Sequence, residues 1–179
     1  LVRHPLVPVI AFTGSRAVGL TIAREALAVA ERIGEVKRVI AEMGGKNAII
    51  VDDDADLDEA VQGVLTSAFG FQGQKCSACS RVIVVDGAYT PFLDRLISAA
   101  RSLMPGEAED PSTGIGPVID HESVTRITTA VVGLQPVFCA DLGTWASQGS
   151  FVAPRIFADV DPASPLAQEE LFGPILAVI

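Results

Sequence analysis

Apolar positions along the chain follow two alternating spacings. Short apolar and β-branched runs at residues 8–12, 38–41, 48–51, 82–85 and 175–179 read as strands. Between them, Val18, Ile22, Ala26, Val29 and Ile33 recur at helical spacing across Arg16–Ile33, and Gly34 is a fitting stop. Asp56 followed by Glu59 is a capping-box pattern, and Leu57, Val61, Val64, Leu65 and Ala68 give the helix it opens one apolar face, ending near Gly70–Gly73. Residues 91–104 and 121–132 read as further helices, and 151–160 as extended. The stretch 105–117 holds three prolines and three glycines and reads as a loop, whereas 138–150 has no clear pattern. Strand–helix alternation at this spacing predicts an α/β structure of three layers with a mostly parallel sheet.

Composition narrows the function classes. The 179 residues match about one domain, so 1–179 is taken as a single domain. The net charge is −9, and no basic cluster is present, which argues against nucleic acid and anionic membrane surfaces as partners. No uninterrupted apolar window of about 18 residues exists, and the proline-broken start is not a signal peptide. Three cysteines, an odd number, fit reduced thiols and a cytoplasmic location better than a disulfide scaffold. With two histidines, His4 and His121, a histidine-based triad or a metal centre has little material, and no metal is expected. The chain starts at Leu1 rather than Met and stops inside an apolar run, so a fragment of a longer chain is expected.

Four stretches carry candidate chemistry. Phe12-Thr13-Gly14-Ser15, on a strand-to-helix turn, can present helix N–H groups to a phosphate or pyrophosphate. Its Gly14-x4-Gly19 spacing is not that of a standard dinucleotide fold, and a plain Ser15 cap is the competing reading. Glu42, at the end of a strand and before Gly44-Gly45-Lys46-Asn47, can serve as a general base, with apolar neighbours Ile40, Ala41 and Met43 partly desolvating it. A surface carboxylate beside a turn is the alternative.

Gly73-Gln74-Lys75-Cys76 places a thiol on a loop near backbone N–H groups that can hold an oxyanion. Cys76-x-x-Cys79 also admits a redox pair, half a zinc site or buried structural cysteines, the last fitting Cys79 and Cys139 better than Cys76. Glu169-Glu170-Leu171-Phe172-Gly173-Pro174 sets an acid and an aromatic where they can grip a sugar hydroxyl and a ring, or simply end a helix before a core phenylalanine. Taken together, the residues point to a thiol enzyme with a nucleotide-like cofactor.

In order and separation these motifs resemble the aldehyde dehydrogenase superfamily, and Gly70 to Arg81 looks like its Δ1-pyrroline-5-carboxylate (L-glutamate γ-semialdehyde) dehydrogenase branch. The resemblance implies a fold like that family's catalytic domain. It implies NAD as cofactor and an aldehyde as small-molecule substrate, oxidised in proline catabolism by a parent enzyme expected to be a homo-oligomer. It makes Cys76 the nucleophile and one oxyanion donor through its N–H, and Glu42 the base for the hydrolytic water. Thr13, Gly14 and Ser15 would face the cofactor, Glu170 its nicotinamide ribose with Phe172 beside it, and Ser77 the substrate carboxylate. The family's oxyanion asparagine and substrate anchor loop have no counterpart in the chain, so little activity is expected of it alone. Dehydrogenation of another aldehyde, a non-catalytic structural fragment and a thiol redox module are the alternatives.

Overall fold

The computed structural model describes all 179 residues. Strands that the pattern placed in one sheet fall into two, and the chain divides into two compact units, Leu1–Gly45 and Lys46–Ile179. Adjacent strands in sequence need not share a sheet, and the polar, glycine-containing break at residues 43–46 separates them here.

In the first unit, β1 (Val9–Thr13) and β2 (Arg38–Glu42) pair in parallel, joined by α1 (Arg16–Ile33). The helix has the limits its apolar spacing predicts. Ser15 Oγ accepts from the Val18 N–H at 3.4 Å, and the Gly34 N–H donates to the Ala30 carbonyl at 2.9 Å. Gly19, Ala26, Val29 and Ala30 form its buried stripe. Lys37 is buried but satisfied, its Nζ donating to the carbonyls of His4 and Val7.

In the second unit, β3 (Asn47–Val51), β4 (Cys79–Val84), β7 (Ile175–Val178), β6 (Arg155–Phe157) and β5 (Phe138–Cys139) lie side by side in that order. All pairs are parallel except β5 with β6. Every residue of β7 is buried, as expected of a central parallel strand covered on both faces. Leu176 and Val178 face a core built with α2 (Leu57–Phe69) and α3 (Asp86–Ala100), while Ile175 and Ala177 face a second core with α4 (His121–Ala130) and Leu166 of α5 (Pro165–Gln168). The alternation along β7 thus produces the three layers in this unit.

Several boundaries differ from the pattern-based expectation. The helix expected at 91–104 runs instead over Asp86–Ala100, with Pro91 inside it. Ala88, Phe92, Leu96 and Ala100 make a buried stripe at intervals of four, and that burial outweighs the hydrogen bond lost at Pro91. β4 begins at Cys79 rather than residue 82, because Cys79 and Arg81 already pair with Asn47 and Ala48 across a register shift. Of residues 151–160 only Arg155–Phe157 is strand: Pro154 has no N–H to donate, and Asp159 turns the chain at φ 52°. In the undecided 138–150 stretch the structure has β5 and a short 3-10 turn at Gly143–Ser147. No helix is long and apolar enough to cross a membrane.

Leu96 is fully buried between α2, α3 and the sheet. Leu96→Ala should therefore destabilise the fold by about 2–5 kcal/mol in urea unfolding, the range for an imperfectly refilled core cavity; a loss well below 1 kcal/mol would show that the three layers do not pack as described.

Candidate active site

In the first unit the structure brings Thr13, Gly14, Ser15 and Glu42 to one end of the two-stranded sheet. Thr13 and Glu42 are register partners, and the Gly14 N–H donates to the Glu42 carbonyl at 3.0 Å. These are the C-terminal ends of parallel strands, where α/β sheets receive ligands. The first turn of α1 carries no acidic side chain, and its leading N–H groups beyond the Ser15 cap have no intrahelical acceptor. Gly19 permits a close approach of this helix to the residue after β2, since a Cβ there would lie 2.7 Å from Met43 Sδ. An unopposed helix terminus with a glycine-tight turn fits the pyrophosphate of a dinucleotide. Ser15 is also a true cap, so the two readings of this turn are compatible.

Glu42 corrects one expectation. It is exposed rather than partly desolvated. Strand alternation places it with Arg38 and Ile40 on the outer side of β2, while Val39 and Ala41 point the other way. Of its apolar neighbours in sequence, Ala41 points to the opposite side and Ile40, on the same side, is itself exposed, so neither desolvates the carboxylate.

In the second unit Cys76 and Ser77 are the central residues of a tight turn, closed by the Ala78 N–H donating to the Lys75 carbonyl at 3.1 Å. Both are exposed. Before the turn, Phe71, Gln72 and Gly73 take left-handed backbone angles in succession (φ 52°, 57° and 66°), with the Lys75 ammonium 5.4 Å from the Phe71 ring centroid. Gly73 is required on two grounds: its φ is positive, and a Cβ would come within 2.4 Å of the Gly173 carbonyl oxygen. The same contact sets the loop bearing Glu170 and Phe172 against the approach to Cys76. Phe172 is itself left-handed (φ 48°) and exposed, as is the Glu170 side chain. Left-handed non-glycine residues are costly, and three of the four in the chain, Phe71, Gln72 and Phe172, fall in the two segments the sequence singled out, the fourth being Asp159.

Cys79 is a different kind of cysteine. It is buried in β4, its Sγ donates to the Arg81 carbonyl at 3.1 Å, and burial pushes its thiol up. Cys76, Cys79 and Cys139 are all free thiols.

Three polar residues were present in the motifs but given no role. Asn47 Nδ2 donates to the carbonyls of Cys76 (2.7 Å) and Ala78 (3.2 Å). Gln74 Oε1 accepts from the Ile119 N–H at 3.0 Å, tying the cysteine loop to the segment before α4. Lys46 is held down to about 8, chiefly by burial and then by the Arg81 guanidinium, with Glu170, Cys79 and Glu169 acting in the opposite sense. A polar residue heading a strand is a faint signal at best, and nothing in the local pattern identifies its distant partner.

The aldehyde dehydrogenase family model matches residues 1–179. The chain belongs to the aldehyde dehydrogenase family. It is 46% identical over 179 residues to 1-pyrroline-5-carboxylate dehydrogenase of Geobacillus thermodenitrificans, covering 99% of this chain and 35% of that protein. Among solved structures, it superposes on 1-pyrroline-5-carboxylate dehydrogenase from Thermus with bound NAD at a TM-score of 0.91, with 43% identity over 100% of this chain and 35% of that one. It superposes on proline utilization A from Bdellovibrio bacteriovorus, inactivated by N-propargylglycine, at a TM-score of 0.93, with 49% identity over 99% of this chain and 19% of that one. The chain spans about a third of the length of the curated relatives it matches.

The depressed Lys46 amine has a measurable consequence. Between about 8 and the ordinary lysine value of 10.5 the folded chain binds fewer protons at this group than the unfolded chain. This group's contribution therefore makes the fold more stable as pH rises through that window. Lys46→Met should flatten that part of the stability–pH curve in urea titrations at a series of pH values, and identical slopes for the two proteins would contradict it.

Proposed function

We propose that this chain carries the nucleophile and the base of an NAD-dependent dehydrogenase. Its substrate in this reading is L-glutamate γ-semialdehyde, the open form of 1-pyrroline-5-carboxylate, and its product is L-glutamate in proline catabolism. The observation that carries the reading is the Cys76 turn. It holds an exposed thiol on a backbone fixed from several sides, within a chain 46% identical to a 1-pyrroline-5-carboxylate dehydrogenase across its length.

The Cys76 thiolate adds to the aldehyde carbon, and the carbonyl oxygen becomes an oxyanion that the Cys76 N–H stabilises. This N–H has no acceptor within the turn, so it is free to donate. NAD, when bound, would supply the acceptor for the hydride lost from the former aldehyde carbon as the thiohemiacetal becomes a thioester. Glu42 then takes a proton from water, which attacks the thioester carbon; the C–S bond breaks and the Cys76 thiolate leaves. Thiolate chemistry suits both halves of the cycle, being a good nucleophile and a good leaving group.

The turn at Gly14 and Ser15, with Thr13 before it, holds the cofactor's pyrophosphate side. Glu170 takes the nicotinamide ribose, Phe172 packs beside it, and Ser77 contacts the substrate carboxylate. Because the chain spans 35% of its relatives' length, we propose that the 179 residues alone turn over little substrate.

In the full-length enzyme, Cys76→Ser should lower aldehyde oxidation at least about 1000-fold while leaving NAD affinity within a few-fold, consistent with loss of a nucleophile rather than of binding. Unchanged oxidation would refute the assignment. Glu42→Gln should slow hydrolysis of the acyl-enzyme more than its formation. Rapid quench followed by mass spectrometry should then find an acyl adduct on Cys76, and an unchanged steady-state rate with no adduct would remove Glu42 from the role.

A further inference from the structure

We propose that Asn47 is a positioning residue for the nucleophile: its carboxamide sets the direction of the peptide groups around Cys76. The inference rests on Cys76 being the nucleophile. Asn47 stands at the head of β3, where the ladder to β4 shifts register between Asn47 and Ala48. Asn47 pairs with Cys79 at the first rung of the ladder, and its side chain reaches past that rung to the turn that precedes β4. Nδ2 reaches the Cys76 carbonyl at 2.7 Å and the Ala78 carbonyl at 3.2 Å, so one amide group spans the exit of the catalytic turn.

The turn is pinned from other directions as well. The Ala78 N–H closes on the Lys75 carbonyl, and the Cys79 N–H donates to Ser67 Oγ of α2 at 3.1 Å. None of these contacts determines which way the Cys76–Ser77 peptide faces; the bond to Asn47 does. In a trans peptide the C=O and the following N–H point in opposite directions. Drawing the Cys76 carbonyl toward β3 therefore turns the Ser77 N–H away from the strand edge. The Lys75 carbonyl, held inside the turn by Ala78, likewise directs the Cys76 N–H outward. Neither N–H has an acceptor in the chain.

Two free donors flanking an exposed thiol, each aimed by a hydrogen bond on the opposite side of its peptide, form a preorganised site for a developing oxyanion. Asn47 touches no reacting atom. It acts through the Cys76 backbone, so its loss lowers the rate of acylation and leaves cofactor binding alone.

The test uses the full-length enzyme. Asn47→Asp keeps the shape but faces two carbonyl oxygens with a carboxylate, and Asn47→Ala removes the side chain. We expect kcat to fall about 10- to 100-fold, more in Asp than in Ala, as for a sub-ångström misplacement of a reacting group. KM for NAD should stay within about two-fold, and iodoacetamide should alkylate Cys76 within about three-fold of the wild-type rate, since the thiol remains exposed. Asn47→Ser, which keeps a donor for one carbonyl, should recover part of the loss and serves the comparison if the Asp variant does not fold.

Wild-type kcat in Asn47→Ala, or an alkylation rate that falls as far as kcat, would overturn the proposal. Cys76→Ala run in parallel separates the two readings. Retained turnover there overturns the nucleophile and this proposal with it, whereas a dead Cys76→Ala beside a fully active Asn47→Asp overturns the positioning role alone.

Discussion

Insertion of β7 between β4 and β6 is the constraint on which the larger unit depends. This strand is the last element of the chain, yet it occupies the middle of the sheet and joins β3–β4 to β6–β5. All four of its residues are buried, alternating between the α2–α3 core and the α4–α5 core. Pairing β4 with β7 closes a long stretch of intervening chain, so burial on both faces has to offset the entropy lost in that closure.

The same insertion organises the chemistry. To enter the sheet at Ile175 the chain must turn at Phe172 and Gly173, and that turn rests against Gly73, just before the cysteine loop. The Gly173 backbone has no spare room either, since a Cβ there would lie 2.4 Å from Ile127 Cδ1. Strain and close contact thus collect where the Glu170–Gly173 segment and the segment leading to Cys76 meet. Left-handed angles at Phe71, Gln72 and Phe172 persist because the packing around them leaves no cheaper alternative.

Polar groups then refine what packing has assembled. Asn47 and Ser67 anchor the backbone from Cys76 to Cys79, and Gln74 ties the preceding loop to residue 119. Lys46 sits among Arg81, Glu169 and Glu170, and burial with a like-charged neighbour draws its amine down. The exposed Cys76 and the buried, raised Cys79 show how two thiols three residues apart acquire different characters from their surroundings.

Local physics was legible in the sequence. The apolar spacing marked α1 from Arg16 to Ile33, Asp56 marked the start of α2, and the order of the glycine, carboxylate and cysteine motifs marked the family. Helical and strand periods and side-chain caps involve residues a few positions apart, so a linear pattern carries them. Tertiary structure alone decided that β2 and β3 belong to different sheets, that Glu42 faces outward, and that α3 continues back through Pro91 to Asp86. It also decided which carbonyls Asn47 would hold. Each of those outcomes turns on partners tens of residues away, whose distance and direction are set by packing and have no imprint on the local pattern.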